Sequence, residues 1–347
     1  MLSKQTLIIA MLSVSVFACT TLGPRTMEFQ RNSYTEIIAL SEKQELLANI
    51  VRAKYNDPPV FLQIKTITVA PSLRMQSGMS LSYSANATGL DSSIGPSVEY
   101  KEEPRIIFAP LSGAEFANEL LLPTGLMPLY LMMVNGFKFD KIANLGLVSI
   151  NDISNHRAAP EHERVRFRSV VEKIQTLIDD NVIYVSVNQN SIEAGLNELS
   201  VNIKGENGVH PELTELMTLL NVKIENPADI KIKIGQTADP NHINVHTRSI
   251  LAIINYLSNY VETPNTDKEI VWETDSYGAQ NRPITIKFAN QKPADAHVAV
   301  SHRGHWFFIE KSDIESQNSL YLLQIMFDLQ AERDENNSNL LLTLPLQ

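Results

Sequence analysis

Cysteine is almost absent: Cys19 is the only one in 347 residues, which excludes a disulfide framework and a thiolate zinc cluster within one chain. Basic charge is also short. Lys and Arg number 29 against 39 Asp and Glu, a net charge of −10, so the footprint that neutralises phosphates is missing and nucleic acid is not an expected partner. Nucleophile elbows, phosphate-binding loops, the zincin helix motif and a Gly-rich dinucleotide turn are absent as well. Past the N-terminus no apolar run is long enough to span a membrane. The longest, Leu120–Val134, is interrupted by Pro123 and Pro128 and reads as buried core helices. What is present is bulk: 44% hydrophobic and 20% charged residues suffice for one large core or two smaller ones and exclude a disordered chain.

The first nineteen residues point to a compartment. Residues 1–18 carry one charge, Lys4, then the apolar run Leu7–Leu12, then small residues up to Ala18, the order of an export signal. Cys19 follows directly, and Val16-Phe17-Ala18-Cys19 resembles the bacterial lipobox, in which the cysteine is acylated and becomes the mature N-terminus. Thr20 after the cysteine resembles the pattern of export to the outer membrane. The expected localisation is therefore the outer membrane, lipid-anchored and facing the periplasm, with the membrane engaged through acyl chains at Cys19.

The chain then reads as α+β. Residues 19–32 suggest a polar tether. Ser33 and Glu36 form a capping box before a long helix with apolar Ile37, Leu40, Leu47, Ile50 and Val51, stopped by Asn56-Asp57-Pro58-Pro59. Val60–Val69 reads as a strand whose apolar phase changes near Thr66, the signature of a bulge. Met79, Leu81 and Tyr83 alternate with serines, and Val98 and Tyr100 alternate with polar residues beyond a long loop. This amphipathic β-hairpin is either an edge covering the core or an exposed pair that docks on another chain. Ile106–Phe108 suggests a short buried strand. A helix pair follows, opened by Ser112 and Glu115, broken at Pro123 and closed by Asn135-Gly136. The polar segment Asn151–Glu163 marks the best domain boundary, so residues 33–155 form an N-terminal α+β domain. Two units of helix-strand-strand-helix-strand order are expected after it, at 164–235 and 243–347.

Four segments together resemble a family of uncharacterised Gram-negative envelope lipoproteins. They are Glu45–Tyr55 with Asp57–Leu62, Ala109–Phe116, Arg303–Ile309 and Leu342–Pro345. The resemblance implies an envelope role and no assigned activity or catalytic residue. The segments consist of apolar, turn-forming and capping residues and read as fold signatures.

Candidate chemistry is sparse. His242 and His246 stand four apart on a segment that alternates like a strand. His297, His302 and His305 surround an Arg303-Gly304 turn without a carboxylate at matching spacing within that hairpin. The pairs Glu102-Glu103 and Asp179-Asp180 fall at expected element ends. Trp306 and Phe308 alternate on one strand, available for contact or for packing under the helix Asp313–Leu329. No cofactor or metal is expected. The preferred reading is a non-enzymatic scaffold or accessory subunit of an envelope assembly of secretion or export type, with other envelope proteins as partners and a homo-oligomer compatible with it. Its candidate interface is Met79, Leu81, Tyr83, Val98, Tyr100, Trp306 and Phe308. An envelope hydrolase with a site assembled from distant residues, and a glycan- or small-ligand-binding lipoprotein, are the alternatives.

Overall fold

The computed structural model describes residues 22–83, 90–156, 158–187, 198–204, 211–222, 230–235, 242–267, 270–271 and 282–330, with backbone alone for 22–33 and 67–104. The chain is α+β and divides into two compact units: Val60–Phe116 in one, and the residues up to Pro59 together with Ala117–Ala331 in the other. The segmentation at residues 155–164 and 235–243 therefore differs from the observed one. One six-stranded sheet takes strands from both sides of each expected boundary, because neighbours in a sheet need not be neighbours in the chain.

In the larger unit, helix α1 (Leu22–Lys54) begins eleven residues before Ser33, so residues 22–32 are helix and not a tether. Its second half buries Leu46, Leu47, Ile50 and Val51, whereas Ile37 and Leu40 of the expected apolar face are 60% and 46% exposed. The helix packs on helix α7 (Ile250–Ser258), which buries Ile250, Ile253, Ile254 and Leu257 completely, each such side chain contributing about 1.5–3 kcal/mol. Ser249 caps α7, its hydroxyl accepting from the Ala252 N–H at 3.2 Å.

Four helices end on left-handed residues. Asn56, Gly136, Asn181 and Asn221 have φ of 57°, 92°, 56° and 55°, and in each case the next N–H donates to the carbonyl five residues back: Asp57 to Arg52, Phe137 to Met132, Val182 to Leu177, Val222 to Met217. This closing geometry satisfies carbonyls that a helix leaves orphaned, and Asn and Gly are the residues that reach it with least strain. The four helices are α1, α3 (Leu126–Val134), α5 (Glu161–Asp179) and α6 (Pro211–Leu219).

The six-stranded sheet has order β4-β3-β8-β7-β6-β5, from β3 (Leu147–Ile150), β4 (Ile153–Ser154), β5 (Ile183–Ser186), β6 (Glu198–Ile203), β7 (Ile230–Ile234) and β8 (His242–Thr247). Only β7 and β8 are parallel. The expected order helix, strand, strand, helix, strand appears as α5, β5, β6, α6, β7. The later copy differs: β9 (Lys287–Ala289), β10 (Ala296–His302) and β11 (His305–Glu310) form a separate sheet of order β10-β11-β9, followed by α8 (Ile314–Gln330). The last strand expected of that copy, at Leu340–Leu344 near the end of the 243–347 unit, lies outside the described residues. Strand β10 is an edge, and α1 packs along it, with the Gln44 side-chain amide donating to the Ala299 carbonyl at 3.1 Å.

The smaller unit is one antiparallel ribbon of two strands, β1 (Leu62–Tyr83, 22 residues) and β2 (Leu90–Pro110, 21 residues), followed by the short helix α2 (Gly113–Phe116). The expected strand at 60–69, hairpin at 79–100 and strand at 106–108 are thus one continuous element, and the connection shrinks to at most residues 84–89. The register shifts between Ile64 and Thr66, so the bulge stands where the phase change placed it. Its effect is to bring Leu62 and Ile64 onto the same face as Ile67 and Val69. Ile107 and Phe108 are 58% and 49% exposed, which corrects the expectation of a buried strand: two strands alone supply no second layer to cover them.

Candidate functional site

Three places carry the functional side chains. The first is the β10–β11 hairpin, whose turn residues Arg303 and Gly304 have φ of 47° and 85°, the mirror-type turn that matches strand twist. It separates the three histidines. His302 Nε2 lies 3.1 Å from Asp57 Oδ2 but is not aligned for a hydrogen bond, His305 Nδ1 meets Asn290 Oδ1 at 3.2 Å, and His297 faces the charge of Lys43. Arg303 donates through Nη2 to both Asp57 oxygens, at 3.0 and 3.2 Å. The Tyr55 hydroxyl donates to Asp267 Oδ2 at 2.7 Å, and its ring stands edge-on to Phe307 at 5.9 Å.

The electrostatics of this cluster favour clamping over chemistry. Burial raises the Tyr55 phenol well above its ordinary value, and the bond to Asp267 adds to the rise, so it is neither base nor nucleophile near neutrality. Arg303 holds the Asp57 carboxyl below its usual range. Burial lowers the His302 imidazole, more than Asp57 raises it. A base and its carboxylate are present, but neither the hydrogen bonds nor the ion pairs here give His302 a nucleophile to activate. What the cluster does is tie the end of α1 to a hairpin and to the Asn265–Asp267 turn.

The second place is a polar cavity of about 450 Å³ in the larger unit, lined by Asp140, Lys141, Arg168, Glu172, Arg282 and Glu315 among others. Lys141 pairs with Glu315 at 2.6 Å and Arg168 with Glu161 at 3.2 Å. Asp140 Oδ1 and Arg282 Nε are buried without a hydrogen-bond partner, an acceptor and a donor that a small polar molecule could satisfy. Its lining includes no histidine, and Tyr256 is its one aromatic side chain, unlike the His-carboxylate pocket of a hydrolase or the aromatic groove of a glycan binder. Below it Arg248, 4% exposed, donates to the carbonyls of Asn144, Leu145 and Asn155 at 2.7–3.1 Å and stacks on Tyr256 at 4.1 Å. It closes the C-terminal end of α4 (Phe139–Gly146).

The third place is the ribbon. Met79, Leu81, Tyr83, Val98 and Tyr100 fall on one face of it: Met75 opposes Val98, Leu73 opposes Tyr100, and Met79, Leu81 and Tyr83 follow at the period of two. Trp306 and Phe308 belong to the other unit, on β11, where they are half-buried and alternate with fully buried Phe307 and Ile309. Trp306 carries Lys292 Nζ 5.4 Å from its ring centre. Cys19 lies outside the described residues. His242 and His246 occupy alternate positions of β8, half-exposed between buried Ile243, Val245 and Thr247. Among the described residues no group of three His, Cys, Asp or Glu could hold a metal ion, and no single helix is long and apolar enough to cross a membrane.

Sequence reasoning missed Asp57, Asp267, Asp140 and Arg282. Asp57 and Arg303 are 246 positions apart, yet both belong to segments that carry the envelope-lipoprotein resemblance, which was the one available signal. Compared with known proteins, the chain matches no protein-family model, no curated protein and no solved structure.

Proposed function

We propose that this protein is a lipid-anchored subunit of an envelope assembly, of secretion or export type, held at the periplasmic face of the outer membrane and acting as a scaffold or accessory component. The observation that carries the reading is the ribbon Leu62–Pro110: two strands of 22 and 21 residues with no third strand among the described residues, and with Leu62 and Phe108 of its apolar face 43% and 49% exposed. Two strands bury too little to be stable alone in water, and unpaired edges are templates for further pairing. Such an element gains its stabilisation from what it docks on. The export signal and Cys19 support the location.

The test is a photo-crosslinking residue at Met79 or Val98 in intact cells, with Cys19→Ser in parallel. Crosslinks to envelope proteins or to further copies, together with acyl mass on Cys19 of the mature chain that Cys19→Ser abolishes, are the expected result. An unmodified mature N-terminus, or no crosslink at either position, would overturn it. A second reading, a small polar ligand in the 450 Å³ cavity, is favoured by the unpaired Asp140 and Arg282 atoms; its mark is saturable thermal stabilisation lost in Arg282→Gln.

A further inference from the structure

Eleven consecutive register pairs, from Leu73↔Tyr100 to Tyr83↔Leu90, form the outer half of the ribbon. Directly opposed residues share a face, and faces alternate along each strand. One face holds the pairs Leu73↔Tyr100, Met75↔Val98, Ser77↔Pro96, Met79↔Ile94, Leu81↔Ser92 and Tyr83↔Leu90, apolar except at Ser77 and Ser92; the other holds Arg74↔Glu99, Gln76↔Ser97, Gly78↔Gly95, Ser80↔Ser93 and Ser82↔Asp91. From Met75↔Val98 outward the only charged residue is Asp91, on the polar face, while Arg74, Glu99, Lys101, Glu102, Glu103 and Arg105 gather toward the base. An edge exposed to water normally carries Lys or Glu along its polar side. Here, beyond the Arg74↔Glu99 pair, that side is Ser, Gly and Gln with the single charge of Asp91.

Eleven residues per strand is about the length that a tilted strand needs to cross the ~30 Å hydrocarbon core. An apolar face alternating with a small polar face is the pattern of strands that separate lipid from a water-filled lumen. Resting on the envelope location proposed above, we infer that the ribbon spans a bilayer: several copies of this chain pair edge to edge into a closed antiparallel β-barrel, with the Met79 face toward lipid and the Ser80 face toward an aqueous channel. Closure follows from the edges. Each ribbon has two edges without a partner strand among the described residues, and unpaired backbone groups cannot stand in hydrocarbon. A second copy brings a strand pair of the same length and pattern; about four copies would only reach the smallest closed barrels, whose interior side chains fill, whereas about eight copies reach the sixteen strands at which an aqueous channel opens.

The full mature chain with Cys19→Ser, so that an added cysteine is the only thiol, tests this. Met79→Cys, Ser80→Cys, Leu81→Cys and Ser82→Cys are each labelled with an environment-sensitive dye and mixed with phosphatidylethanolamine–phosphatidylglycerol vesicles, with and without brominated acyl chains. Bromolipid should quench positions 79 and 81 several-fold more than 80 and 82, and a dye trapped in the vesicles should leak. Leu81→Asp should lower leakage at least tenfold while the melting temperature stays unchanged. Equal quenching at all four positions, absence of leakage, or shielding of 79 and 81 from aqueous iodide before lipid is added would overturn the barrel, the last by showing the apolar faces packed on one another. If insertion fails while Met79 still crosslinks to other envelope proteins in cells, the barrel falls and the scaffold reading stands. If Cys19 is unmodified in cells, the envelope reading falls whatever the vesicles show.

Discussion

Arg248 shows how one buried side chain sets local stability. Its guanidinium serves three carbonyls, and its own N–H donates to Gly146 at 2.7 Å. Arg248→Met keeps much of the volume and leaves buried acceptors unsatisfied, at about 1–3 kcal/mol each. A loss of about 3–5 kcal/mol in urea unfolding is expected. His302 supplies a pH dependence. Burial lowers its pKa, Asp57 opposes the shift, and Arg303 and Arg52 add to it. Between the lowered value and about 6.5 the unfolded chain binds a proton that the folded chain does not. Stability is then fully present above that window and falls as pH drops through it. The melting-temperature advantage over His302→Gln should shrink from pH 7 to pH 5; a constant difference would sink the assignment.

Among the elements, the β10–β11 hairpin is closed by two left-handed residues, and Gly304 at φ 85° has open space where a Cβ would stand. Gly304→Ala therefore meets backbone strain without a clash and should cost about 1 kcal/mol by thermal melting. A helical glycine behaves differently. At Gly146 an added Cβ would meet Met326 Cε at 2.8 Å, so Gly146→Ala must displace the flexible end of Met326, and a double-mutant cycle with Met326→Leu should show the two positions coupled. The ribbon's bulge illustrates the reverse case, where an irregularity preserves a pattern. Were Lys65 a regular rung of the ladder instead of the extra residue of a bulge, Leu62 and Ile64 would join the polar face.

For the whole molecule, the division into two units has a thermodynamic consequence. The larger unit holds the buried cores of α1, α7 and both multi-stranded sheets, and the ribbon belongs to the other unit. Replacing residues 75–98 by a two-residue Asn-Gly turn should leave the main unfolding transition within about 2 °C of its original midpoint, measured by calorimetry. A large drop would mean that the outer ribbon belongs to the core after all. Anchoring acts at the same scale. On the proposed acylation, Cys19→Ser should remove the acyl mass from the mature N-terminus without changing that transition, because an acyl chain contributes through methylenes buried in lipid and not in the protein core.

Much of the architecture is written locally. Helix ends at Asn56 and Gly136, the bulge near Thr66, the Arg303-Gly304 turn and the alternation of Met79, Leu81 and Tyr83 each depend on a few adjacent residues, because capping, φ preference and side-chain period are short-range properties. Burial and partnership are not. Ile37 and Phe108 are as apolar as Ile50 and Phe307, and their exposure depends on whether a second layer reaches them. The merging of three expected β segments into one ribbon required the register, which residues as far apart as Leu62 and Pro110 set jointly. Asp57 found Arg303, Tyr55 found Asp267, and Arg282 was set beside Asp140 by packing alone, since contacts between distant positions leave no spacing to read.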